Sequence, residues 1–159
     1  CNVNEADASS GNHLSKAVFD KATNEKAESV VISGAIESEI ALLDDDEKKE
    51  FLKDLNLNES GLSRLIRAGF GLLNLITFFT IGSKEARAWT LKNDSTAPEA
   101  AGVIHTDFQK GFIKAETISY DDYIKHKSEQ ATKDAGRVRI EGSEYKVIDG
   151  DVFHFRFNV

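Results

Sequence analysis

The sequence predicts an α+β chain in two parts, helix-rich to about residue 75 and strand-rich beyond it. Three observations lead there. Apolar residues recur at helical spacing through much of the first part, where Val30-Val31-Ile32 is the single β-branched run suited to a strand. From Ile76 onward the apolar residues gather in short runs divided by turn residues. Near the end, Phe153, Phe155 and Phe157 alternate with His154, Arg156 and Asn158, giving one aromatic face and one polar face.

Residues 1–10 are polar and irregular after Val3. Leu14, Ala17, Val18 and Ala22 then predict a helix from His13 to about Glu28. After the Val30–Ile32 strand and the break at Ser33-Gly34, a second helix is expected near Ile36 to Leu43. Asp44-Asp45-Asp46-Glu47 opens a third, reaching about Leu55, with its acids at the positive end of the helix dipole. Ser60 can cap a fourth, whose Leu62, Leu65, Ile66, Gly69, Phe70 and Leu73 form one apolar stripe. One strand cannot make a sheet, so residues 1–75 resemble the tail of an α/β domain.

Strands are expected at Ile76–Thr80 and Ala86–Leu91 around a turn at Ile81-Gly82-Ser83. Thr96, Pro98 and Glu99 have the form of a capping box with Pro in the first turn, opening a helix toward Ile104 that stops before Gly111. Phe112–Tyr120 reads as a strand, Asp121–His126 and Ser128–Asp134 as short helices, and Val138–Ile140 as a small strand. Tyr145–Ile148 and Val152–Phe157 read as two strands around a hairpin-type turn, Asp149-Gly150-Asp151. This order is compatible with a β-grasp, ubiquitin-like fold over residues 76–159.

The chain has 159 residues, 40% of them hydrophobic and 30% charged, the balance of a folded protein. A net charge of −7 argues against nonspecific gripping of nucleic acid, and no DNA partner is expected. The charge is uneven: residues 1–75 carry 8 basic and 14 acidic side chains, residues 76–159 carry 12 and 13. An RNA surface would meet little net repulsion only in the second part. With one cysteine, Cys1, no internal disulfide can form. The longest apolar run, Gly69–Gly82, is too short to span a bilayer, so a cytoplasmic protein without a membrane partner is expected. The absence of methionine predicts a piece of a longer protein.

Several strings are specific enough to suggest a family. Arg87-Ala88-Trp89-Thr90, Ala97-Pro98, Ala100-Ala101-Gly102 and Ile104-His105-Thr106-Asp107-Phe108 closely resemble the TGS domain at the C-terminus of YchF-type Obg-like ATPases. Asp149-Gly150-Asp151-Val152 and Phe155-Arg156-Phe157-Asn158 are similar to that family's ending, and Ser33-Gly34-Ala35 and Ala68-Gly69-Phe70 have counterparts there. The resemblance implies that residues 1–75 are the C-terminal portion of a P-loop nucleotide-binding (G) domain and residues 76–159 the TGS domain. It also makes Asn2-Val3-Asn4-Glu5 an NxxE form of the base-reading motif that ordinary GTPases write as NKxD. Asn2, Val3 and Glu5, with the loop Ser33, Gly34 and Ala35, then become the nucleotide base-binding residues.

The chemistry of the change supports adenine. Guanine presents two donors, N1–H and N2–H₂, to a correctly placed aspartate. Adenine offers an acceptor at N1, which a carboxylate repels. Glu5 is one methylene longer than aspartate, and Val3 replaces the lysine that would stack on the base. The resemblance therefore implies a parent protein that binds ATP with Mg, in preference to GTP, and associates with ribosomes or ribosomal RNA.

The chain has no G-x-x-x-x-G-K-[ST] string, so no catalytic residue and no metal ligand is assigned, and the chain alone is expected to be inactive as an ATPase with no tightly bound cofactor. The alternative is a stand-alone TGS module that binds protein or RNA without catalysis. Other eye-catching residues have plainer readings. His105 and Asp107 suit helix-end hydrogen bonding, Asp44–Glu47 a helix start, and Phe153, Phe155, Phe157 and Trp89 a core. Arg137, Arg139, Lys110 and Lys114 suit a solvated surface as well as a phosphate contact.

Overall fold

The computed structural model describes residues 1–82 and 85–158. The chain divides into two compact units, Cys1–Leu73 and Asn74–Val159. The fold is α+β, with helices first and a five-stranded mixed sheet after them.

In the first unit a short 3-10 turn (Glu5–Asp7) precedes helices α1 (His13–Asn24), α2 (Gly34–Ile40), α3 (Asp45–Asp54) and α4 (Gly61–Leu72). Each long helix begins on a side-chain oxygen that satisfies N–H groups the helix itself leaves open. Asn12 Oδ1 accepts from Leu14 and Ser15, Asp44 Oδ1 from Asp46 and Glu47, and Ser60 Oγ from Ser63. Helix α1 stops four residues before the expected Glu28. Lys26 adopts a left-handed φ of 54° and the Ala27 N–H returns to Ala22 O, a closure that ends the helix. Asn56 (φ 54°) with Leu57 N–H on Leu52 O ends α3 in the same way. Ala8, Ile36, Ile40 and Leu57 form a small core, with Phe51, Leu52 and Leu55 against it. The stripe on α4 is present in sequence but stands exposed, at 56% for Leu62 and 53% for Ile66.

The expected strand Val30–Ile32 is a single parallel bridge, Asn2 to Ile32, rather than an extended element. Its neighbour is the short stretch Cys1–Val3. The Val3 N–H donates to Ile32 O, Ile32 N–H to Cys1 O, and the terminal ammonium to Val30 O.

The second unit carries β1 (Leu75–Ile81), β2 (Ala86–Lys92), α5 (Ala97–Ile104), α6 (Thr106–Lys110), β3 (Phe112–Ile118), α7 (Tyr120–His126), α8 (Glu129–Asp134), β4 (Arg139–Glu141) and β5 (Val152–Phe157). The strand order is β2-β1-β5-β3-β4. The last strand therefore lies between the first and third, parallel to β1 and antiparallel to β3, which is the β-grasp arrangement. Of the expected turn Ile81-Gly82-Ser83, Ser83 lies outside the described residues. Helix α5 packs on one face through Ala97, Ala100 and Ala101, all fully buried; residues this small let the helix approach the sheet closely. Phe78 lies at the centre, its ring 5.7 Å from Phe153 and 6.2 Å from Phe155, both edge-on. The aromatic face of β5 is core, as its alternation indicates.

Helix α5 ends at Ile104 as expected, where His105 takes an extended backbone (φ −160°, ψ 141°); its Nδ1 accepts the Asp107 N–H and starts α6, a helix that was not expected. The last hairpin needs correction. Tyr145–Ile148 is not a strand. Its pairing is a single antiparallel bridge, Thr96 to Lys146, with the Ala97 N–H on Tyr145 O and the Val147 N–H on Ser95 O, because its partner turns into α5 directly afterwards. Asp149-Gly150-Asp151 is consequently no hairpin; Gly150 at φ 86° turns the chain into β5 beside β1. At the α5 start, the Thr96 N–H and hydroxyl both bind the Glu99 carboxylate and hold it below the usual carboxylate range. Among the described residues no helix is long and apolar enough to cross a membrane.

Candidate functional site

The residues expected to face a base come from two segments about thirty positions apart, and the first unit brings part of them together. The Asn2–Ile32 bridge aligns the segments, and the Gly34 N–H donates to Asn2 Oδ1 at 2.9 Å. Val3 is half-buried and spends its N–H on Ile32 O, so that donor is not left for a ligand. Gly34 and Ala35 are exposed at the start of α2. Ser33 is buried, and its hydroxyl has no hydrogen-bond partner among the described residues. Glu5 is exposed at the first position of the 3-10 turn, and no side-chain bond ties it to the Ser33–Ala35 loop among the described residues.

The Asn2 amide is oriented by this geometry. Its oxygen is taken by Gly34, which leaves the Nδ2 donors for a ligand. Gly34 needs no room there: an added Cβ would sit 3.6 Å from Asn2 Oδ1, an ordinary contact. Sequence reasoning missed what braces the loop from behind. Glu37 Oε1 accepts the Gly61 N–H at 2.7 Å and Oε2 the Leu62 N–H at 3.2 Å, tying α2 to the start of α4. An acid one turn into one helix and a glycine opening another carry no sequence signal of being paired.

The second unit has a cleft of about 740 Å³ lined by Thr77, Phe79, Tyr120, Asp121, Arg139 and Asp149 among others. Its charged groups are largely committed to the fold. The buried Asp151 accepts from Arg139 at 3.2 Å, from the Tyr145 hydroxyl at 2.8 Å and from the Ile148 N–H at 2.9 Å. Asp149 accepts the Thr77 N–H. Arg139 is thus paired within the fold, and Arg137 lies 3.9 Å from Asp122. Trp89 donates Nε1–H to Thr80 Oγ1 and carries the Arg87 guanidinium 4.2 Å above its ring, which leaves it no free stacking face on that side. No group of three or more metal-ligating side chains occurs among the described residues.

The family model YchF-GTPase_C, described as "Protein of unknown function (DUF933)", matches residues 75–158. The chain belongs to that family. It is similar to proteins named ribosome-binding ATPase YchF: 58% identical to that of Pasteurella multocida and 53% to that of Escherichia coli O157:H7, over 99% of this chain in both. The chain spans 43% of the length of these curated relatives and corresponds to their C-terminal part. The solved structure of the Schizosaccharomyces pombe YchF GTPase superposes with a TM-score of 0.81 at 34% identity, over 98% of this chain and 42% of that one. A GTP-binding protein from Pyrococcus horikoshii OT3, at 19% identity and a TM-score of 0.61, shares the fold, over 96% of this chain and 44% of that one.

Proposed function

We propose that this chain supplies the base-reading side and the C-terminal docking domain of a cytoplasmic, ribosome-associated P-loop ATPase that takes ATP with Mg in preference to GTP. The observation that carries the reading is the hydrogen bond from Gly34 N–H to Asn2 Oδ1, which joins the two segments a purine would have to touch together. The names of the bacterial relatives support the ATPase and ribosome parts; the S. pombe relative is named a GTPase, so nucleotide choice is the point to test.

Base chemistry sharpens that choice. The free Nδ2 of Asn2 can donate to N7, an acceptor in both adenine and guanine, so Asn2 holds a purine without discriminating. Discrimination falls to the edge carrying N1, where Glu5 is too long to copy the aspartate pairing of guanine; Val3 stands in place of the lysine that would cover the ring face. In the Ser33–Ala35 loop the Gly34 N–H and the Ser33 carbonyl are already taken, by Asn2 and Glu37, so the main chain at Ala35, at the open start of α2, is what this loop offers that edge. Residues 76–159, as a TGS domain, serve as the docking or regulatory surface toward the ribosome.

The test is equilibrium binding of ATP and GTP to the full-length protein and to its Asn2→Ala variant. We expect ATP to bind more tightly than GTP, and the variant to lose about tenfold for both, the cost of roughly one hydrogen bond and its loop tether. Tighter GTP binding sinks the preference. A variant with unchanged affinity sinks the base site, and a full-length protein that binds neither nucleotide favours an interaction module without catalysis.

A further inference from the structure

The loop Ser33–Ala35 is fixed from outside rather than by its own side chains. Ser33 is buried, its hydroxyl without a partner among the described residues, and Gly34 has no side chain to anchor. On one side Asn2 holds it through the Gly34 N–H. On the other, Glu37 sits one turn into α2, its own N–H bound to Ser33 O at 3.0 Å. The Glu37 carboxylate takes both Gly61 and Leu62 N–H groups, two of the donors a helix start leaves open, and lies at the positive end of α4. The approach is close. A Cβ on Gly61 would fall 2.8 Å from Ile32 Cγ2 and 2.9 Å from Glu37 Oε1, so glycine is what lets α4 start against both flanks of the loop. Ile32 is the residue immediately before Ser33, and Glu37 lies three beyond Gly34.

We propose that Glu37, seated on Gly61 and Leu62, is a positioning residue for the nucleotide base: it holds the Ser33–Ala35 loop at the spacing from Asn2 that a purine needs. The inference rests on the base-reading assignment above. Glu37 does not touch the base. It acts through the loop, so its loss and the loss of Asn2 relax the same element. Their effects on affinity therefore overlap rather than multiply.

The experiment measures ATP affinity of the full-length protein at a temperature where melting curves show every variant folded. The variants are N2A, E37Q, L62P and the N2A/E37Q double variant. Glutamine keeps one acceptor in place of two. Proline at Leu62 removes only the second donor, at a first-turn position that proline tolerates. We expect E37Q to weaken ATP about three- to tenfold, L62P in the same direction by less, and the double variant to fall little below N2A alone. If N2A weakens ATP binding while E37Q and L62P do not, Glu37 is only a helix cap and the inference is overturned. Fully multiplicative effects overturn it too, since they place Glu37 outside the loop that Asn2 holds. If N2A itself changes nothing, the base-site assignment fails first, and that outcome is separable from the others. Should E37Q not fold, L62P against N2A decides alone.

Discussion

Tyr145 shows how a single residue can matter to this fold through one internal hydrogen bond. Its hydroxyl donates to the buried Asp151, and its phenol is pushed up to about 12 from an ordinary value of 10, first by burial and then by that hydrogen bond. The folded state therefore favours the neutral phenol. The resulting stability is fully present below pH 10 and is lost as pH rises from 10 through 12. Tyr145→Phe removes the titration and leaves the Asp151 carboxylate short of a donor. We expect the variant to be about 1–3 kcal/mol less stable at pH 7, with the gap narrowing across pH 10–12; urea melts of both proteins along a pH series measure it. Equal stabilities at pH 7 would show that Arg139 and Ile148 satisfy Asp151 unaided. None of this was legible in the sequence. Asp149-Gly150-Asp151 reads as a turn from its composition, but nothing local says that Asp151 is buried. Its partners Arg139 and Tyr145 meet it only once the segment before β5 has folded back. The segments proposed for the base site stood out in the sequence for the opposite reason: Asn2 and the Ser33–Ala35 loop stand in contiguous strings with a recognisable form, and the structure brings those two strings together.

At the scale of elements, the legible ones were those whose ends carry their own chemistry. Helix α3 begins where Asp44 and its following acids place it, α4 where Ser60 does, and α5 at the Thr96–Glu99 pair. Elements that depend on a distant partner were misread. Tyr145–Ile148 has a strand's residues but lacks a straight neighbour, and the short helix α6, which starts on the His105 ring, was not expected at all. Gly111 marks another such dependence. It joins α6 to β3, and its N–H and C=O bind Asp107 O and Asn158 N–H. A Cβ there would collide with the main chain of Asn158, beyond the end of β5, and that backbone cannot swing aside as a flexible side chain could. We expect Gly111→Ala to cost about 1–3 kcal/mol by overpacking, read from denaturant midpoints. Gly102→Ala is the comparison: its nearest contact is the far end of the Gln109 side chain, which can yield. If both variants melt alike, the close approach at Gly111 is not what fixes the α6–β3 turn.

For the whole molecule, the two units differ in how complete they are. All five strands, their register and the ring cluster around Phe78 lie within Asn74–Val159, together with the α5 helix that covers one face of the sheet. Cys1–Leu73 has no sheet beyond one parallel bridge, a core of four buried residues, and apolar side chains such as Phe19 and Leu65 standing exposed. A sheet with its own core pays for its chain entropy locally; a bundle of short helices with open apolar faces does not. Residues 74–159 expressed alone should therefore unfold in one cooperative transition, with an enthalpy near 0.7 kcal/mol per residue, or roughly 60 kcal/mol. The near-ultraviolet dichroism of Trp89, half-buried against Phe78, should survive until that transition. Residues 1–73 alone should show helical signal without a cooperative melt. A molten 74–159, binding hydrophobic dye and lacking that tryptophan signal, would mean the sheet depends on the first unit. A domain that cannot hold its own shape could not present a fixed surface to a partner, so that result would count against the proposed docking role as well as the boundary.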